Sequence, residues 1–517
     1  MSSVRKQTYR NWELCIADDA SASEETLRVL RKLDDERIKL VTLPENRNIS
    51  GATNAAAELA GGRYLAFMDN DDVLSEDALA EVAAVIRDTG ADFIYTDEDF
   101  IRTDGHLDNP HLKPDYNPDL LLSHNYITHL LVLEKDLFER AGRLRPEYDG
   151  AQDYDLVLRA VEQAKRIVHV PKPLYHWRMS ETSTSVNPTI KAGGNENARK
   201  AVEDALRRRS IDGTVEEAGL PHYFRVRRRI AGAPRVDIII PFRDKPELLD
   251  RCVASILERS TWSAFRILGV SNNSRESSTH DEMERLRALD DRVAFCELDC
   301  EFNFSRLVNH GVSRTDGNHV LLLNNDMEII SPDWIEALLE HSQRPDVAAV
   351  GGKLYYPNNT VQHAGIAIGL GGYAGHLHQR ARASSPGYFN RLNVIQNISA
   401  VTGAMMMVER RKYMELGMFD EMDFGVAYND VDFCLRAREQ GYLNVFTPYA
   451  EAYHYESRSR GYEDTPEKQE RFNRDKENLL RRHGPVIEKG DPYYNSNFDR
   501  SRDDFRLPSE PASVARG

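Results

Sequence analysis

One acidic loop stands out because it directly follows an apolar run. Residues 320–323 read VLLL, and Asn324, Asn325 and Asp326 come next. A short apolar run bounded by polar residues is typical of an interior parallel strand. Ligands of open α/β sheets bind just beyond the carboxyl ends of such strands. The pattern therefore predicts that Asp326 lies where a metal ion and a phosphate would sit.

A second acidic loop repeats this arrangement in the first half of the chain. Residues 64–68 read YLAFM, and the carboxylates Asp69, Asp71 and Asp72 follow. Carboxylate oxygens at this spacing suit Mg²⁺ or Mn²⁺ that shares its coordination sphere with substrate phosphates. A helix-capping loop is the alternative interpretation. The recurrence of the loop in both halves favours the ligand function.

The chain repeats its motifs in the same order. Asp71 and Asp326 are 255 positions apart, and His176 and His454 are 278 positions apart. The growth of this offset along the chain indicates insertions in the second copy. The sequence therefore predicts two tandem domains of about 200–250 residues each, which is an ordinary domain size.

A carboxylate at matching depth follows each acidic loop. Asp153 and Asp430 each begin a D-x-D-x-x-x-R pattern that is predicted to be helical. A carboxylate at a helix start is often only a cap. Its recurrence after both acidic loops favours a general base beside a substrate hydroxyl.

Histidines form a third recurring feature. His176 in LYHWR and His454 in AYHYE each follow a proline-containing apolar stretch. A structural role and a role at a metal ion or diphosphate both remain open for this pair. His376 and His378 lie in GHLH, where no quartet of zinc ligands is evident.

Composition limits the classes of function. The 517 residues, 41% of them hydrophobic, suffice for two full cores. The net charge of −16 disfavours nucleic-acid binding, and the basic run at 225–229 is interpreted as a solvated strand. Five scattered cysteines indicate neither zinc nor a disulfide framework and predict the reducing cytoplasm. No signal peptide or membrane-spanning run is expected.

Strands that alternate with helices predict a mostly parallel, doubly wound α/β sheet in each half. The predicted segments are an N-terminal domain, a linker, a C-terminal domain and a polar tail, at 1–215, 216–234, 235–482 and 483–517. A polar loop is predicted at 180–189. The second half opens with the apolar strand 236–241 (VDIIIP), and the first half has no counterpart of it. We therefore expect the first sheet to lack its opening, central strand.

The ordered motifs resemble family 2 glycosyltransferases of the GT-A fold, here joined in tandem. IADDAS, FMDNDD, QDYDL and YNDVDFCLR match that family's motif order. The second half resembles bacterial rhamnosyltransferase-like and O-antigen-assembly proteins through FNFSRLVNHG, LLLNNDMEI, VQHAGIAIG, GHLH, VTGAMMMV and GDPYYN. The resemblance covers nearly the whole chain and implies two Rossmann-like GT-A domains.

The resemblance implies an inverting transferase that uses a nucleotide-diphospho-sugar and a divalent ion, Mg²⁺ or Mn²⁺. It places six residues near the nucleotide-sugar: Asp18, Asp19, Asp69, Asn272, Asn273 and Asn324. It assigns four residues to the metal ion and the leaving diphosphate: Asp71, Asp326, His176 and His454. It implies two catalytic bases, Asp153 and Asp430, and three acceptor-side residues, His376, His378 and Gly403.

This chemistry is physically consistent. An acceptor hydroxyl is a poor nucleophile at neutral pH, so a carboxylate must take its proton. The leaving nucleoside diphosphate develops negative charge, which a metal ion stabilises. The resemblance further implies a saccharide or lipid-linked glycan acceptor, a role in cell-surface polysaccharide synthesis, and peripheral association at the inner membrane face.

Two other classes of protein stay open at this point. A non-catalytic carbohydrate-binding scaffold would keep the fold without turnover, although the intact Asp326 and Asp430 argue against it. A glycoside hydrolase also uses paired carboxylates, but it needs no nucleotide donor. The second half has its opening strand and a base candidate, so we expect it to carry the turnover.

Overall fold

The computed structural model describes residues 1–179, 193–456 and 465–508. The chain divides into two compact units, unit 1 (Met1–Val226) and unit 2 (Arg227–Gly517). The division falls inside the predicted linker at 216–234. The predicted polar loop at 180–189 lies outside the described residues. Within the described ranges, no helix is both long and apolar enough to cross a membrane.

Unit 1 alternates short strands with helices. Its strands are β1 Leu14–Asp18, β2 Ile38–Thr42, β3 Tyr64–Phe67, β4 Val73–Leu74, β5 Phe93–Ile101, β6 Leu107–His111, β7 Leu131–Glu134, β8 Ile167–Arg178 and β9 Gly213–Glu217, and β10 Phe224–Arg228 runs across the division. Its helices are α1 Ser2–Arg5, α2 Glu24–Leu30, α3 Asn48–Leu59, α4 Ala78–Thr89, α5 Pro118–Ser123, α6 Lys135–Arg140, α7 Gln152–Val161 and α8 Gly194–Arg208.

Unit 2 repeats the alternation with longer insertions. Its strands are β11 Val236–Phe242, β12 Phe265–Ser271, β13 Val293–Glu297, β14 His319–Leu323, β15 Met327–Ile329, β16 Val347–Tyr355, β17 Val361–His363, β18 Ile366–Ile368, β19 Ala374–His376, β20 Gln396–Ile398, β21 Met405–Glu409 and β22 Leu443–His454. Its helices are α9 Pro246–Arg259, α10 Ser277–Leu289, α11 Phe304–Ser313, α12 Trp334–Ser342, α13 Arg410–Glu415, α14 Asn429–Glu439 and α15 Pro466–Lys489.

The main sheet of unit 2 has the order β13-β12-β11-β14-β21-β16-β22-β15. The first four strands are parallel, as the sequence predicts, and β21 then pairs antiparallel with both β14 and β16. The sheet as a whole is therefore mixed. Every residue of β14 is buried, which confirms that the apolar run before Asp326 is an interior strand. Helices α9 and α12 cover this sheet with side chains such as Leu249 and Trp334.

The sheet of unit 1 is split where unit 2 is continuous. In unit 2, β11 bonds to β12 on one side and to β14 on the other. In unit 1, β1 and β2 form a separate parallel pair, and the larger sheet begins at β3 in the order β3-β7-β5-β8-β4. Within the described part of unit 1, no strand joins β1 to β3. The first half thus has two separate sheets where the second half has one continuous main sheet.

The segment predicted as a polar tail packs against unit 2. Helix α15 continues to Lys489, beyond the predicted boundary at 482. In residues 490–508, four aromatic side chains are buried: Tyr493, Tyr494, Phe498 and Phe505. The rings of Tyr494, Phe498 and Phe505 contact one another, and the Tyr388 ring stacks on Phe505 with a centroid distance of 5.3 Å. This segment therefore contains a small apolar core, which its mostly polar composition did not predict.

Candidate active site

Strand pairing in unit 2 brings the acidic loop next to His454. Met327 in β15 lies opposite His454 in β22. This pairing brings Asp326 Oδ1 to 3.1 Å from His454 Nε2. Both side chains are buried, with Asp326 3% exposed. The two residues assigned to the metal ion in the second half are therefore adjacent.

Hydrogen bonds determine which nitrogen of His454 faces Asp326. Gln362 Nε2 donates to Glu456 Oε2 at 3.1 Å, so Gln362 Oε1 is turned toward His454 Nδ1, at 2.7 Å. An amide oxygen only accepts, which places the imidazole proton on Nδ1. The Nε2 atom then presents a lone pair, and Asn324 Nδ2 lies 3.2 Å from it.

This pair of atoms fits a divalent cation. Two ligand atoms bound at about 2.1 Å and at right angles to one ion lie about 3 Å apart. The described residues contain no group of three or more His, Cys, Asp or Glu side chains arranged to hold an ion. Asp326 and His454 would supply two ligands to such an ion, and phosphate oxygens and water would fill its remaining positions. Mg²⁺ and Mn²⁺ are commonly bound in this way together with a substrate phosphate.

Asp430 is held at the start of α14. Its Oδ2 accepts from Gly403 N at 2.8 Å, and its Oδ1 accepts from Val431 N at 2.8 Å. The carboxylate is half-buried, which leaves it open to a ligand. Gly403, predicted on the acceptor side, therefore orients the predicted base through its backbone.

A pair of histidines, His363 and His376, lies within the electrostatic influence of Asp430 and His454. His363 Nε2 accepts from Gly365 N at 3.3 Å and from Thr402 N at 3.4 Å, so its proton lies on Nδ1. This Nδ1 lies 2.9 Å from His376 Nδ1, which must accept. Burial lowers the pKa of His376, whereas the charges of Asp430 and Glu456 oppose that shift. His376 in its neutral form therefore carries its proton on Nε2.

His378 packs against an aromatic ring and not against the histidine pair near Asp430. Its ring stacks on Phe505 with a centroid distance of 4.7 Å, and its pKa falls to about 3, mainly because of burial. The two histidines of GHLH therefore occupy different surroundings.

Two of the three asparagines predicted near the nucleotide-sugar in unit 2, Asn272 and Asn273, bond to the backbone through their side chains. Asn272 Nδ2 donates to Leu298 O at 2.9 Å and to Cys300 O at 3.0 Å. Asn273 Nδ2 donates to Cys300 O at 2.7 Å. Both amide groups stabilise the loop after β13, and Asn272 is buried.

The acidic loop of unit 1 is organised differently. Strand pairing matches Val73 with His176, as it matches Met327 with His454, so this loop contains one extra residue. Asp72 is buried, accepts from the Tyr175 hydroxyl at 2.5 Å and from Arg178 N at 2.8 Å. Burial raises the pKa of the Asp72 carboxyl. Asp71 is exposed.

His176 lies away from the exposed carboxylate of its loop. His176 Nδ1 is 2.5 Å from Asp99 Oδ1, and its Nε2 is 2.8 Å from Ser75 Oγ. Among the contacts described for unit 1, none joins His176 to Asp71. Asp69 instead faces His129, with 3.7 Å between Asp69 Oδ2 and His129 Nε2. The structure thus brings together the metal candidates of unit 2 and separates those of unit 1.

Three further site candidates lie in unit 1. Two of them, Asp18 and Asp19, accept hydrogen bonds from backbone amides, and the third, Asp153, lies in the first turn of a helix. Asp18 Oδ1 accepts from Ser21 N at 3.2 Å, and Asp19 Oδ1 accepts from Arg47 N at 2.6 Å. Asp153 is the second residue of α7, and its Oδ2 accepts from Asn125 Nδ2 at 3.1 Å.

The D-x-D-x-x-x-R pattern serves two purposes. Its first aspartate stays accessible at the helix start, whereas the second pairs with the arginine. In unit 2, Arg436 Nε donates to Asp432 Oδ2 at 2.8 Å, and its Nη2 donates to Met418 O at 2.7 Å. In unit 1, Arg159 makes the matching contacts with Asp155 and Arg143 O. The second half of the pattern therefore anchors the helix to the loop before it.

The sequence analysis missed Gln362 and Glu456 as members of this site. Gln362 lies in VQHAGIAIG, and no role was predicted for its side chain. Glu456 lies two residues after His454 in AYHYE, and no spacing rule marks it. The pairing of β17 with β16 was needed to place Gln362.

Unit 2 thus combines a mixed sheet, the Asp326–His454 contact beside β15 and an Asp430 carboxylate that is held by Gly403 N. The chain belongs to the family described as Glycosyl transferase family 2, which matches residues 1–142 and 237–417.

Two curated relatives match almost the whole chain. An uncharacterised protein of Sinorhizobium fredii is 42% identical over 98% of this chain and 56% of its own length. The O-antigen biosynthesis protein RfbC of Myxococcus xanthus is 35% identical over 99% of this chain and 40% of its own length. This chain thus spans about half the length of these relatives. A solved mannosyltransferase from Pyrobaculum calidifontis, in complex with GDP-Man and Mn²⁺, matches 57% of this chain and 77% of its own, with 13% identity and a TM-score of 0.37.

Proposed function

We propose that unit 2 transfers a sugar from a nucleotide-diphospho-sugar to a hydroxyl of a saccharide acceptor, with inversion at the anomeric carbon. The observation that carries this proposal is the contact between Asp326 and His454, at 3.1 Å, in a unit that also positions Asp430 through Gly403 N. One displacement requires one diphosphate site and one base. Unit 2 offers candidates for both.

In this mechanism Asp430 takes the proton of the acceptor hydroxyl as its oxygen bonds to the anomeric carbon. The bond between that carbon and the diphosphate oxygen breaks, and the electron pair leaves with the nucleoside diphosphate. Asp326 and His454 are the residues that would hold a divalent ion, and the ion would stabilise the negative charge of the leaving diphosphate. The hydrogen bond from Gly403 N keeps the Asp430 carboxylate oriented for proton transfer.

His376 suits the acceptor side of this reaction. Its Nε2–H, fixed by the contact with His363, is a neutral donor near Asp430. A neutral donor binds a hydroxyl oxygen without neutralising the base. We assign the same side to the Gly403 backbone.

Turnover is assigned to unit 2 rather than to unit 1. In unit 1, His176 contacts Asp99 and Ser75, and none of the contacts described for that unit joins it to the exposed Asp71. A non-catalytic carbohydrate-binding role is the second candidate for unit 1.

The biological setting is proposed from the relatives. The name of the Myxococcus xanthus relative refers to O-antigen biosynthesis. We propose a role in the synthesis of a cell-surface polysaccharide, on a lipid-linked glycan at the inner membrane face. Recovery of the chain only in a membrane fraction that resists salt and alkaline wash would argue against a peripheral enzyme.

A screen of nucleotide-sugars tests the proposal. Release of nucleoside diphosphate is measured for each donor with Mn²⁺, with Mg²⁺ and with excess chelator. Asp430→Asn is expected to lower the rate by about 10²–10⁴-fold, because it removes the base and keeps the shape. Asp153→Asn is the matched control in unit 1 and is expected to change the rate far less. Full turnover in chelator, or loss of transfer in Asp153→Asn alone, would contradict the assignment.

A further inference from the structure

One buried carboxylate of the long helix α15 contacts the turn that precedes the candidate base. Asp475 is 2% exposed. Its Oδ2 accepts from Ala427 N at 2.9 Å and from Val426 N at 3.3 Å. Burial of a carboxylate is costly unless hydrogen-bond donors satisfy it, and the two backbone amides do so here. Helix α15 therefore holds this turn by its backbone.

The turn leads directly into the candidate base. Tyr428 has a φ of +59°, a left-handed conformation that costs free energy in a residue other than glycine. Asn429 comes next, its Nδ2 donates to Val426 O at 3.3 Å, and its Oδ1 accepts from Asp430 N at 2.8 Å. A backbone of this kind persists only where the surrounding structure holds it. A short series of hydrogen bonds thus joins Val426 to Asp430.

Unit 1 has a side chain at the corresponding position. Asn197 in α8 lies 278 positions before Asp475, which is also the offset between the recurring histidines. Its Nδ2 donates to Asp149 O at 2.9 Å. Asp149 lies four residues before Asp153, the same separation as between Val426 and the base candidate of unit 2. In both units, a side chain from a later helix therefore holds the turn before the carboxylate.

A second set of contacts joins α15 to the helix that carries the base. Asp432 in α14 is fully buried. Arg482 Nη1 donates to Asp432 Oδ1 at 3.0 Å, and His483 Nε2 lies 2.9 Å from the same oxygen. Helix α15 thus contacts the chain both before Asp430 and two residues beyond it. A displacement of α15 would therefore also displace the start of α14.

We propose that Asp475 is a positioning residue for the transfer reaction, because it fixes the turn at Val426 and Ala427 and thereby the direction of the Asp430 carboxylate. This inference rests on the function proposed for unit 2 and adds a residue beyond the part of the chain that the family model matches. A general base acts only within hydrogen-bond reach of the proton that it removes. A misplacement of about 1 Å can lower a rate by about 10²-fold. Asp475 acts through the backbone and not on the substrate.

Turnover is the first test, with the nucleotide-sugar that the wild type turns over fastest. Asp475→Ala removes the acceptor of both amides, so kcat is expected to fall by about 10–100-fold while the KM for the donor stays unchanged. Asp475→Asn can place an oxygen at the same point and is expected to keep kcat within about fivefold of the wild type. Asp475→Ser, whose hydroxyl is too short to reach the turn, is the second variant if the alanine variant does not fold, and the same loss is expected.

A matched control removes a different bond of α15. Asn478 Nδ2 donates to Asp423 O at 2.8 Å, farther from the base. Asn478→Ala is expected to lower Tm by about 2–4 °C and to leave kcat within about twofold. Equal losses of kcat in Asn478→Ala and Asp475→Ala, or unchanged kcat in Asp475→Ala, would overturn the proposal.

A double-mutant cycle separates positioning from a general structural effect. Asp475→Ala is expected to add little to the loss caused by Asp430→Asn, because the base that it positions is already absent. An effect on some other part of the site would multiply the two losses. Losses that multiply would therefore refute the role of Asp475.

Hydrogen exchange at Gly403 reports the direction of the Asp430 carboxylate without any turnover. Gly403 N donates to Asp430 Oδ2. Asp475→Ala is expected to speed the exchange of this amide by at least about tenfold, whereas Asn478→Ala is expected to leave it unchanged. Unchanged exchange in Asp475→Ala would refute the inference.

The two proposals fail in different ways. Full turnover by Asp430→Asn would refute the function proposed for unit 2, and the exchange of the Gly403 amide would still decide whether Asp475 directs that carboxylate. A large loss in Asp430→Asn together with full turnover by Asp475→Ala would refute the inference alone.

Discussion

Gln362 Oε1 lies 2.7 Å from His454 Nδ1, and this contact turns the lone pair of Nε2 toward Asp326. Gln362→Leu removes the contact, so neither neutral tautomer of the His454 ring is favoured by a hydrogen bond at Nδ1. We expect the apparent affinity for Mn²⁺ in the nucleotide-release assay to fall by about 10–100-fold, as for other residues that orient a ligand. Gln379→Leu, at an exposed position, is the control. An unchanged Mn²⁺ titration would show that Gln362 does not orient the histidine.

Acid is expected to destabilise unit 2 through buried histidines. Burial lowers the pKa of His319 from its usual 6.5 to about 4. The unfolded chain therefore binds a proton between these pH values while the folded chain does not. Stability is complete above about pH 6.5 and falls as the pH drops toward 4, by up to about 3 kcal/mol for this group.

Thermal unfolding of a variant checks this pH dependence. Between pH 7.5 and 5, the Tm of His319→Asn is expected to fall less than that of the wild type, because asparagine cannot take up the proton. His280→Asn, at an exposed position in α10, is expected to behave as the wild type. The same loss of Tm in His319→Asn and the wild type would contradict the assignment.

The arginine of the repeated helix motif is expected to be structural. Arg436 bonds to Asp432 and to the backbone oxygens of Leu416 and Met418. A lysine cannot satisfy three acceptors with a planar fork, so Arg436→Lys is expected to cost about 2–4 kcal/mol of unfolding free energy. Urea denaturation measures this cost. Arg411→Lys, which is well exposed, is expected to change it by less than about 0.5 kcal/mol.

The aromatic core of residues 490–508 is expected to stabilise the loop that carries His378. Phe505 contacts His378, Tyr388 and Tyr494 at centroid distances of 4.7, 5.3 and 4.8 Å. Phe505→Ala is expected to destabilise unit 2 by about 3–5 kcal/mol, because it leaves a cavity among these rings. Leu507→Ala, at a half-exposed position, is the control, and equal denaturation midpoints for both variants would contradict the packing role.

Much of the fold follows from periodicity and repetition. The apolar run before Asp326 predicted β14, and the lack of a partner for 236–241 predicted the split sheet of unit 1. Burial of Phe505 and its neighbours could not be predicted, because isolated aromatics among polar residues carry no period. Tertiary contacts decide whether such residues pack or remain exposed.

The motifs identified candidate residues but not their arrangement. Asp326 contacts His454, whereas the equivalent His176 contacts Asp99 and Ser75. One extra residue in the loop at 69–72 alters this geometry, and alignment of motifs does not show which carboxylate turns inward. Asn272 illustrates the same limit, since only the structure shows its amide bonded to Leu298 O and Cys300 O.

The split sheet of unit 1 has a consequence for hydrogen exchange. In the described part of the chain, β1 pairs with β2 alone, whereas β12 is flanked on both sides. Leu14 N donates toward β2, so the amides of Cys15 and Ala17 face the open edge. These two amides are expected to exchange with solvent deuterium much faster than those of Leu268 and Val270, which face β11. The same β-strand would thus alternate, residue by residue, between protected and labile protons.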